Sequence, residues 1–148
     1  MRIVNAKEAP EQALAVRLEM LLEVGELPEG HVFDEGFVRR TAEYLEAGEQ
    51  TTLLAMDGEK AVGCATICYM TWLPTLSHPT GKRAHLMNVY TAPDYRRQGW
   101  ARKLVEMLIN EAKRQGVTEI SLDATEAGRP LYESLGFRLN DEGMTIVF

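Results

Sequence analysis

The stretch that decides the fold is Asn88–Arg102, which reads NVYTAPDYRRQGWAR. An apolar strand pattern breaks at Pro93-Asp94 and gives way to a basic, glycine-containing run ahead of an amphipathic helix. A helix start presents unpaired backbone N–H groups and a partial positive charge, which together bind phosphate. Gly99 and Ala101 leave room for a ligand to approach the backbone closely. The pattern therefore predicts a strand, a phosphate-binding loop and a helix in series.

Two familiar phosphate-binding loops do not match this run. It lacks the Gly-Lys-Ser/Thr ending of nucleoside triphosphatases, and Gly99-x-Ala101 lacks the third glycine of the dinucleotide-binding fingerprint. On its own, the Arg-Arg-Gln-Gly run of residues 96–99 is also compatible with an exposed helix cap. A second motif is needed before the loop indicates a function.

Outward from this stretch, periodicity predicts alternating helices and strands. We predict, in chain order, a strand over 2–6, helices over 8–24 and 34–47, a hairpin of strands 51–56 and 60–72, a strand over 84–92, a helix over 96–115, a strand over 119–123, a short helix ending near 135 and a last hairpin over 137–148. The order β-α-α-β-β-β-α-β-α-β-β is that of one α/β domain with a mixed sheet, spanning 1–148.

The composition is that of an ordinary globular protein. The 148 residues are 45% hydrophobic and 26% charged, so the chain can bury a core without disulfide or metal staples. Cys64 and Cys68 lie an even number of residues apart in an apolar run, which predicts that both face the core from one side of a strand. They fit a reducing, cytoplasmic compartment, and no signal-peptide pattern is visible at the start. The uncharged run 61–81 is apolar over too short a part to span a membrane, and predicts a buried strand.

Charge is distributed unevenly along the chain. The net charge is -6, and residues 23–49 account for all of it with eight acidic and two basic residues. Residues 82–103 instead contain six basic residues and a single acid. These two regions can hold a cation at one place and an anion at another, although both are also compatible with solvated helix faces. The acidic total disfavours binding to nucleic acid.

A second motif narrows the choice. Residues 129–137 read RPLYESLGF and contain Tyr132, thirty-three residues after Gly99. With both motifs in this order, the chain resembles the GCN5-related N-acetyltransferase (GNAT) superfamily. Arg96-x-x-Gly99-x-Ala101 matches the family's Arg/Gln-x-x-Gly-x-Gly/Ala motif, and LYESLGF is similar to its second signature. The resemblance implies a mixed, mostly antiparallel sheet of six to seven strands with about four helices.

In such proteins the loop holds the pyrophosphate of acetyl-CoA. Carried onto this chain, the backbone amides of 97–102 are the implied donors, and the splayed strand before the loop pairs with the pantetheine arm. The thioester carbonyl is expected near the amides of Asn88 and Val89, in an oxyanion hole. Thr125 stands where the family often has Asn, and Trp100 where a smaller aliphatic residue is usual. The implied cofactor-binding residues are Val89, Tyr90, Thr91, Arg96, Arg97, Gln98, Gly99, Trp100, Ala101, Arg102 and Thr125.

The resemblance places Tyr132 where many members carry a general acid. An amine attacks the thioester directly, a tetrahedral intermediate collapses, and the departing thiolate takes a proton, which a phenol with a pKa of about 10 can supply. Packing against the core is the alternative role for this ring. The base that deprotonates the incoming ammonium stays open among Asp34, Glu35, His31, His85 and a water chain. No two histidines have metal-ligand spacing, so no metal is predicted.

The resemblance assigns the acceptor side to the two helices after the first strand, which hold the whole net negative charge. We therefore expect a cationic amine as the acceptor, on a small molecule or a peptide. A non-catalytic acyl-CoA-binding module, regulatory or a partner subunit, is the alternative, because such a module needs the loop but not Tyr132. A longer acyl donor and pairing of two copies into a homodimer also stay open. Neither nucleic acid nor a membrane is expected as a partner.

Overall fold

The computed structural model describes residues 1–140 and 142–148, and its centre is a five-stranded sheet. The strands, in their order across the sheet, are β1 (Arg2–Asn5), β2 (Gln50–Asp57), β3 (Lys60–Thr71), β4 (Lys82–Thr91) and β5 (Glu119–Leu122). β1 to β4 are antiparallel neighbours, whereas β5 runs parallel to β4. Gly58, with a φ of +58°, makes the tight turn between β2 and β3 that the Asp57-Gly58 pair predicts.

Four α-helices accompany the sheet: α1 (Pro10–Val24), α2 (Glu35–Ala47), α3 (Trp100–Arg114) and α4 (Arg129–Ser134). Pro10 opens α1, where the N–H that proline lacks would be unpaired in any case. The Asp34 carboxylate caps α2 by accepting a hydrogen bond from the Phe37 N–H at 2.9 Å. Gly116, with a φ of +83°, follows the end of α3.

Helices cover both faces of the sheet. α1 and α2 lie on the face of β3 that carries Thr66 and Cys68, and side chains of α1, α2, β3 and β4 meet there. α3 lies on the opposite face, where the Tyr69 hydroxyl accepts a hydrogen bond from Gln115 at 3.2 Å. The apolar side of α3 is completely buried, as its helical periodicity predicts. The residues of α3 with 0% exposure are Leu104, Val105, Leu108 and Ala112.

Both cysteines are free thiols on β3. Cys64 is fully buried, and Cys68 is half-buried beside a cavity between β3 and α2. They share the face of the sheet that α1 and α2 cover, in agreement with their even spacing. Burial raises the pKa of the Cys64 thiol to about 12, so this thiol stays protonated at neutral pH.

The uncharged run over 61–81 consists largely of β3, which is buried over most of its length. This outcome agrees with the prediction of a buried strand. In the described parts of the chain, no helix is long and apolar enough to cross a membrane.

α3 begins later than the sequence predicts. Its first residue is Trp100 rather than Arg96, because Arg97 and Gly99 adopt φ of +64° and +84°. Left-handed backbone cannot be part of a right-handed helix, so residues 96–99 form a separate loop. The basic run that looked like a helix start is therefore placed ahead of the helix.

The sheet has five strands rather than six to seven, because the predicted hairpin over 137–148 is not formed in its described residues. Residue 141 of that hairpin lies outside the described chain. Alternating apolar residues form a strand only where a neighbouring surface covers one face, and a lone hairpin is marginal in water. The described residues of this segment do not pair with the free edge of β5, and Met144, Ile146, Val147 and Phe148 are 77–108% exposed. The fold class itself is confirmed: a mixed α/β fold with a mostly antiparallel sheet and four helices.

Candidate active site

A bulge in β4 shapes the backbone at the predicted oxyanion site. The register pairs Cys64 with Tyr90 but Thr66 with Met87, so β4 holds one more residue than β3 between these pairs. Asn88 lies at this bulge with a φ of +57°, a left-handed conformation that is uncommon outside glycine. The bulge therefore turns the peptide groups of β4 out of the regular ladder just before its second half.

Three hydrogen bonds hold Asn88 in this conformation. Its Nδ2 donates to Thr66 Oγ1 at 3.0 Å, and its backbone carbonyl accepts a hydrogen bond from Cys64 Sγ at 3.2 Å. Its Oδ1 accepts a hydrogen bond from the Arg17 guanidinium at 3.3 Å. A buried residue held by three partners keeps a costly backbone conformation, and such residues cluster at functional sites.

β4 also loses its neighbour on one side at this point. β5 pairs only with Arg83–Leu86, so residues 87–91 have no strand beside them on the β5 side of the described chain. The backbone N–H and C=O groups of that edge need partners. An extended ligand lying along this half of β4, which contains Val89, Tyr90 and Thr91, can supply them.

The loop between β4 and α3 presents a row of free amides. Among the hydrogen bonds of residues 1–140 and 142–148, none uses the backbone N–H of any residue from 97 to 102. The first amide after this row, that of Lys103, already donates to Gly99 at 3.0 Å in the helical pattern. The positive end of α3 faces the same space. An ideal Cβ placed on Gly99 would meet nothing within 4 Å, so the approach to these amides is open.

Two buried polar side-chain atoms beside this loop have no hydrogen-bond partner within the described chain. They are Thr91 Oγ1, at the end of β4, and Trp100 Nε1, in the first turn of α3. Buried donors are normally paired, and an unpaired one calls for an explanation. Both residues are among those predicted to bind the cofactor. Free amides, a helix start and unpaired donors together fit a polyanionic ligand such as a pyrophosphate.

The Arg96 side chain ties the loop to α1 instead of pointing into the open space. Its guanidinium forms an ion pair with Glu23, lies over the Tyr90 ring at 5.8 Å and donates from Nε to the Thr91 carbonyl at 2.8 Å. Hydrogen bonds from Tyr90 and Arg96 lower the pKa of the Glu23 carboxyl, so this carboxylate stays charged. Arg96 therefore positions the loop, and its charge is already balanced.

The other loop cations differ in their pairing. Arg102 is paired with Glu106 at 3.0 Å and donates to Ser134 Oγ of α4 at 2.8 Å. Arg97, by contrast, has no carboxylate within 4.0 Å among the described residues. The contact between Arg102 and Ser134 brings the second motif beside the start of α3.

Tyr132 lies on α4, half-buried, with its ring against Phe137 in an edge-to-face contact at 6.0 Å. Burial raises the pKa of its phenol above the ordinary value of 10, so the hydroxyl is protonated at neutral pH. No other described residue is hydrogen-bonded to this hydroxyl, and the ring borders a cavity of about 600 Å³ next to β5. Both roles considered for Tyr132, packing and proton donation, are compatible with this placement.

Thr125 has a local role in the turn before α4. Its Oγ1 and its carbonyl both accept hydrogen bonds from the Gly128 N–H, each at 3.1 Å. The Tyr132 ring packs against Gly128 so closely that a Cβ there would lie 3.1 Å from the ring. Thr125 therefore shapes the turn that carries Tyr132.

The structure separates the four candidate bases. His85 lies on β4, three residues before Asn88, and shares a 2.7 Å hydrogen bond with Ser121 Oγ. Its Nε2 lies 3.7 Å from an oxygen of Asp123. The other three candidates lie before α2 or in its first turn: His31, Asp34 and Glu35. Throughout 1–140 and 142–148, no group of three or more His, Cys, Asp or Glu side chains is arranged to hold a metal ion.

A cavity of about 270 Å³ opens on the α1–α2 side of the bulge. Its walls include Phe37, Leu45 and Met87, and its charged lining residues are Arg17 and Arg40. The sequence did not predict that either arginine lines a cavity, because neither belongs to a motif and the helices that carry them are acidic. The one signal was the position of Arg17 on the sheet-facing side of α1, next to the buried Val16. A larger groove of about 920 Å³ lies on the α3 side of the sheet, where β2 begins and β3 ends. It includes no motif residue.

Comparison with known proteins identifies a family whose model includes the residues of this site. The family model of the GNAT acetyltransferases matches residues 18–137, which is most of the chain. The chain therefore belongs to the GNAT acetyltransferase family. The match includes β4, the loop, α3 and the Tyr132 motif.

Three similar proteins illustrate the range of the family. Over 57 residues the chain is 46% identical to the ribosomal protein bS18-alanine N-acetyltransferase of Escherichia coli, a match over 36% of this chain and 38% of that protein. Over 113 residues it is 29% identical to human N-acetyltransferase 8, a match over 73% of this chain and 47% of that protein. The solved structure of a predicted acetyltransferase with acetyl-CoA from Clostridium acetobutylicum superposes with a TM-score of 0.84 at 25% identity, over 99% of this chain and 95% of that one.

Proposed function

We propose that this protein is an N-acetyltransferase that moves an acetyl group from acetyl-CoA to a primary amine by direct attack through a tetrahedral intermediate. The row of free amides from 97 to 102 carries the proposal, because a pyrophosphate is the group that such a row binds best. The unpaired donors of Thr91 and Trp100 support it. Membership of the GNAT family supplies the chemistry that this site serves.

The chain offers groups for each step. The free edge of β4 is suited to pair with the amide groups of the pantetheine arm. The backbone amides at the Asn88–Val89 bulge stabilise negative charge on the carbonyl oxygen under attack. Tyr132 donates the proton that the departing thiolate needs, and its raised pKa keeps that proton available at neutral pH.

The acceptor amine reaches the site as a cation, and the acidic α1–α2 half of the molecule attracts it. Asp34 and Glu35, at the start of α2, are the acids we assign to this attraction. Asp34→Asn with Glu35→Gln should raise KM for a cationic acceptor several-fold without changing kcat, and Asn keeps the helix cap. Glu46→Gln, at the far end of α2, is the control. An unchanged KM in the double variant would contradict this assignment.

The alternative function is that of a non-catalytic acyl-CoA-binding module. A measurement of amine acetylation distinguishes this module from an acetyltransferase. Wild-type protein is incubated with acetyl-CoA and a panel of small and peptide amines, and free CoA thiol is measured. Amine-dependent thiol release, with an acetylated product of the matching mass, is expected. Saturable acetyl-CoA binding without turnover of any amine would favour the binding module, and faster turnover of propionyl- or butyryl-CoA would identify a longer donor.

We also propose that two copies pair through the free edge of β5 and the exposed segment 142–148, in a reducing compartment such as the cytoplasm. The edge of β5 is unpaired in the described chain, and the segment carries exposed apolar side chains. Since each copy has one edge and one segment, two copies satisfy both.

A further inference from the structure

The cavity between α1, α2 and the β4 bulge differs in charge from the helices that form it. α1 and α2 with their connecting loop are strongly acidic, yet no carboxylate lines the cavity. Its charged lining residues are the half-buried Arg17 and the exposed Arg40, and the rest of its wall is apolar or neutral. At short range the nearest charges dominate over the net charge of an element, since salt screens charges that lie further than about 10 Å apart. The cavity is therefore cationic inside an acidic half.

Neither guanidinium has a carboxylate partner. Within residues 1–140 and 142–148, no Asp or Glu oxygen lies within 4.0 Å of Arg17 or Arg40. The Asp34 carboxylate, which caps α2 by accepting a hydrogen bond from the Phe37 N–H, lies near the Arg40 guanidinium but beyond ion-pair distance. Arg17 is half-buried and is hydrogen-bonded to the neutral amide oxygen of Asn88 at 3.3 Å.

A half-buried guanidinium without an acid is an unusual arrangement. Buried charges are paired in most proteins, because an unpaired one keeps its desolvation penalty. Burial correspondingly lowers the pKa of Arg17, although it remains charged at neutral pH. A ligand that brings an anionic group would give Arg17 the partner it lacks, and the exposed Arg40 lines the same cavity.

We propose that the Arg17–Arg40 cavity binds an anionic group of the acceptor, so that the substrate is a small amine that also carries a carboxylate or a phosphate. The acceptor role of this cavity rests on the function proposed above. In that function β4 faces the thioester, and Asn88 both belongs to β4 and lines the cavity. The planar fork of arginine matches both anions.

The cavity also limits the size and character of this acceptor. At about 270 Å³ it is small for a ligand site, so it takes the acid-bearing end of a small molecule or of a peptide. Phe37, Leu45 and Met87 supply apolar contacts for the carbon atoms that join the amine to the acid. Polyamines, which have no anionic group, should be poor acceptors.

The test uses matched acceptors that differ only in charge. Amino acids with one to four carbons between amine and carboxylate are compared with their carboxamides and with amino-alkyl phosphates. For wild-type protein, kcat/KM for the anionic acceptors should exceed that for the carboxamides by at least about tenfold, the usual loss for a hydrogen bond to a charged group. The carboxylate and phosphate arms identify which anion is the source.

Arg40→Gln should reduce this preference to near unity by lowering kcat/KM for the anionic acceptors alone. Arg17→Gln should also reduce the preference, together with a loss of kcat for every acceptor because Arg17 holds Asn88 at the bulge, and Arg17→Lys should restore part of the preference, since lysine keeps the charge but not the fork. Arg39→Gln is the matched control, because Arg39 is exposed on the same helix and does not line the cavity. A calorimetric titration with acetyl-CoA checks that each variant is folded.

Two results would overturn the proposal: equal kcat/KM for carboxylates and carboxamides in wild-type protein, or a preference that Arg40→Gln leaves intact. If the proposed function itself is wrong, the result differs from both of these, because no amine is acetylated. In that case binding of the amino acids is measured by calorimetry in the presence of CoA. Binding that Arg40→Gln abolishes would support the anion site without catalysis, and no binding would overturn the anion site as well.

Discussion

At the scale of single residues, the Tyr132 hydroxyl is free in the described chain and adjoins a cavity, so its removal isolates its chemical role. Tyr132→Phe keeps the ring and its contact with Phe137 but removes the proton donor. We expect kcat to fall by about 100-fold, the lower end of what general acids contribute, while the Kd for acetyl-CoA stays unchanged. Tyr69→Phe, on the α3 side of the sheet, is the control. Wild-type kcat in Tyr132→Phe would assign the ring to packing alone.

The direction of the pKa shift at Tyr132 gives a related pH dependence. Burial raises the pKa of this phenol, so the acid form persists to a higher pH than that of a free tyrosine. The midpoint of any loss of kcat from deprotonation of Tyr132 should therefore lie above pH 10. A pH profile of kcat in wild-type protein tests this, and a basic limb near pH 8 that Tyr132→Phe removes would contradict it.

Gly99 has two roles that a matched substitution can separate. Its φ of +84° penalises a side chain, and its open side faces the free amides. Gly99→Ala should cost about 1–2 kcal/mol of stability and weaken acetyl-CoA binding by about tenfold or more, since a methyl group blocks close approach. Gly58→Ala is the control, because Gly58 also has a positive φ and open space but lies in the β2–β3 turn. Equal acetyl-CoA affinity in both variants would contradict the loop assignment.

At the scale of elements, α3 anchors the loop through its buried face. Leu108 has 0% exposure, so Leu108→Ala leaves a cavity and should lower the free energy of unfolding by about 2–5 kcal/mol. Met107 is its neighbour with 40% exposure, and Met107→Ala should change stability by less than about 0.5 kcal/mol. Urea denaturation of both variants measures the difference. Similar losses in both would show that the assigned buried face is wrong.

Much of the architecture was predictable from local patterns. The apolar face of α3, the Asp57-Gly58 turn and the Asp34 cap each depend on residues that are close in sequence. The late start of α3 was not predictable, because Arg97 adopts a positive φ that arginine rarely shows. The prediction of a strand in the last residues was wrong, because alternation does not reveal whether a segment pairs with a neighbouring strand.

The candidate site was also only partly predictable from the sequence. The loop and Tyr132 could be predicted as site residues because they form motifs within short segments. The bulge at Asn88 and the cavity cations were not found, since they depend on contacts between α1 and β4, seventy-one residues apart along the chain. The ion pair of Arg96 with Glu23 on α1 was also not predictable, because the two residues are far apart along the chain.

At the scale of the whole molecule, the exposed end of the chain predicts self-association. The side chains of Ile146 and Phe148 are 77% and 108% exposed, and the β5 edge is unpaired in the described chain. We expect sedimentation velocity at micromolar concentration to give twice the mass of one chain. Ile146→Glu with Phe148→Glu should give a single-chain mass. A wild-type protein that sediments as one chain would contradict the pairing.

The central claim is that the loop between β4 and α3 binds acetyl-CoA, and calorimetric titration of wild-type protein tests it most directly. CoA and ATP are titrated in parallel, since ATP carries phosphates but no pantetheine arm for the free edge of β4. We expect saturable binding of one acetyl-CoA per chain, binding of CoA and much weaker binding of ATP. No heat with acetyl-CoA at millimolar concentration, or equal affinity for ATP, would contradict the account.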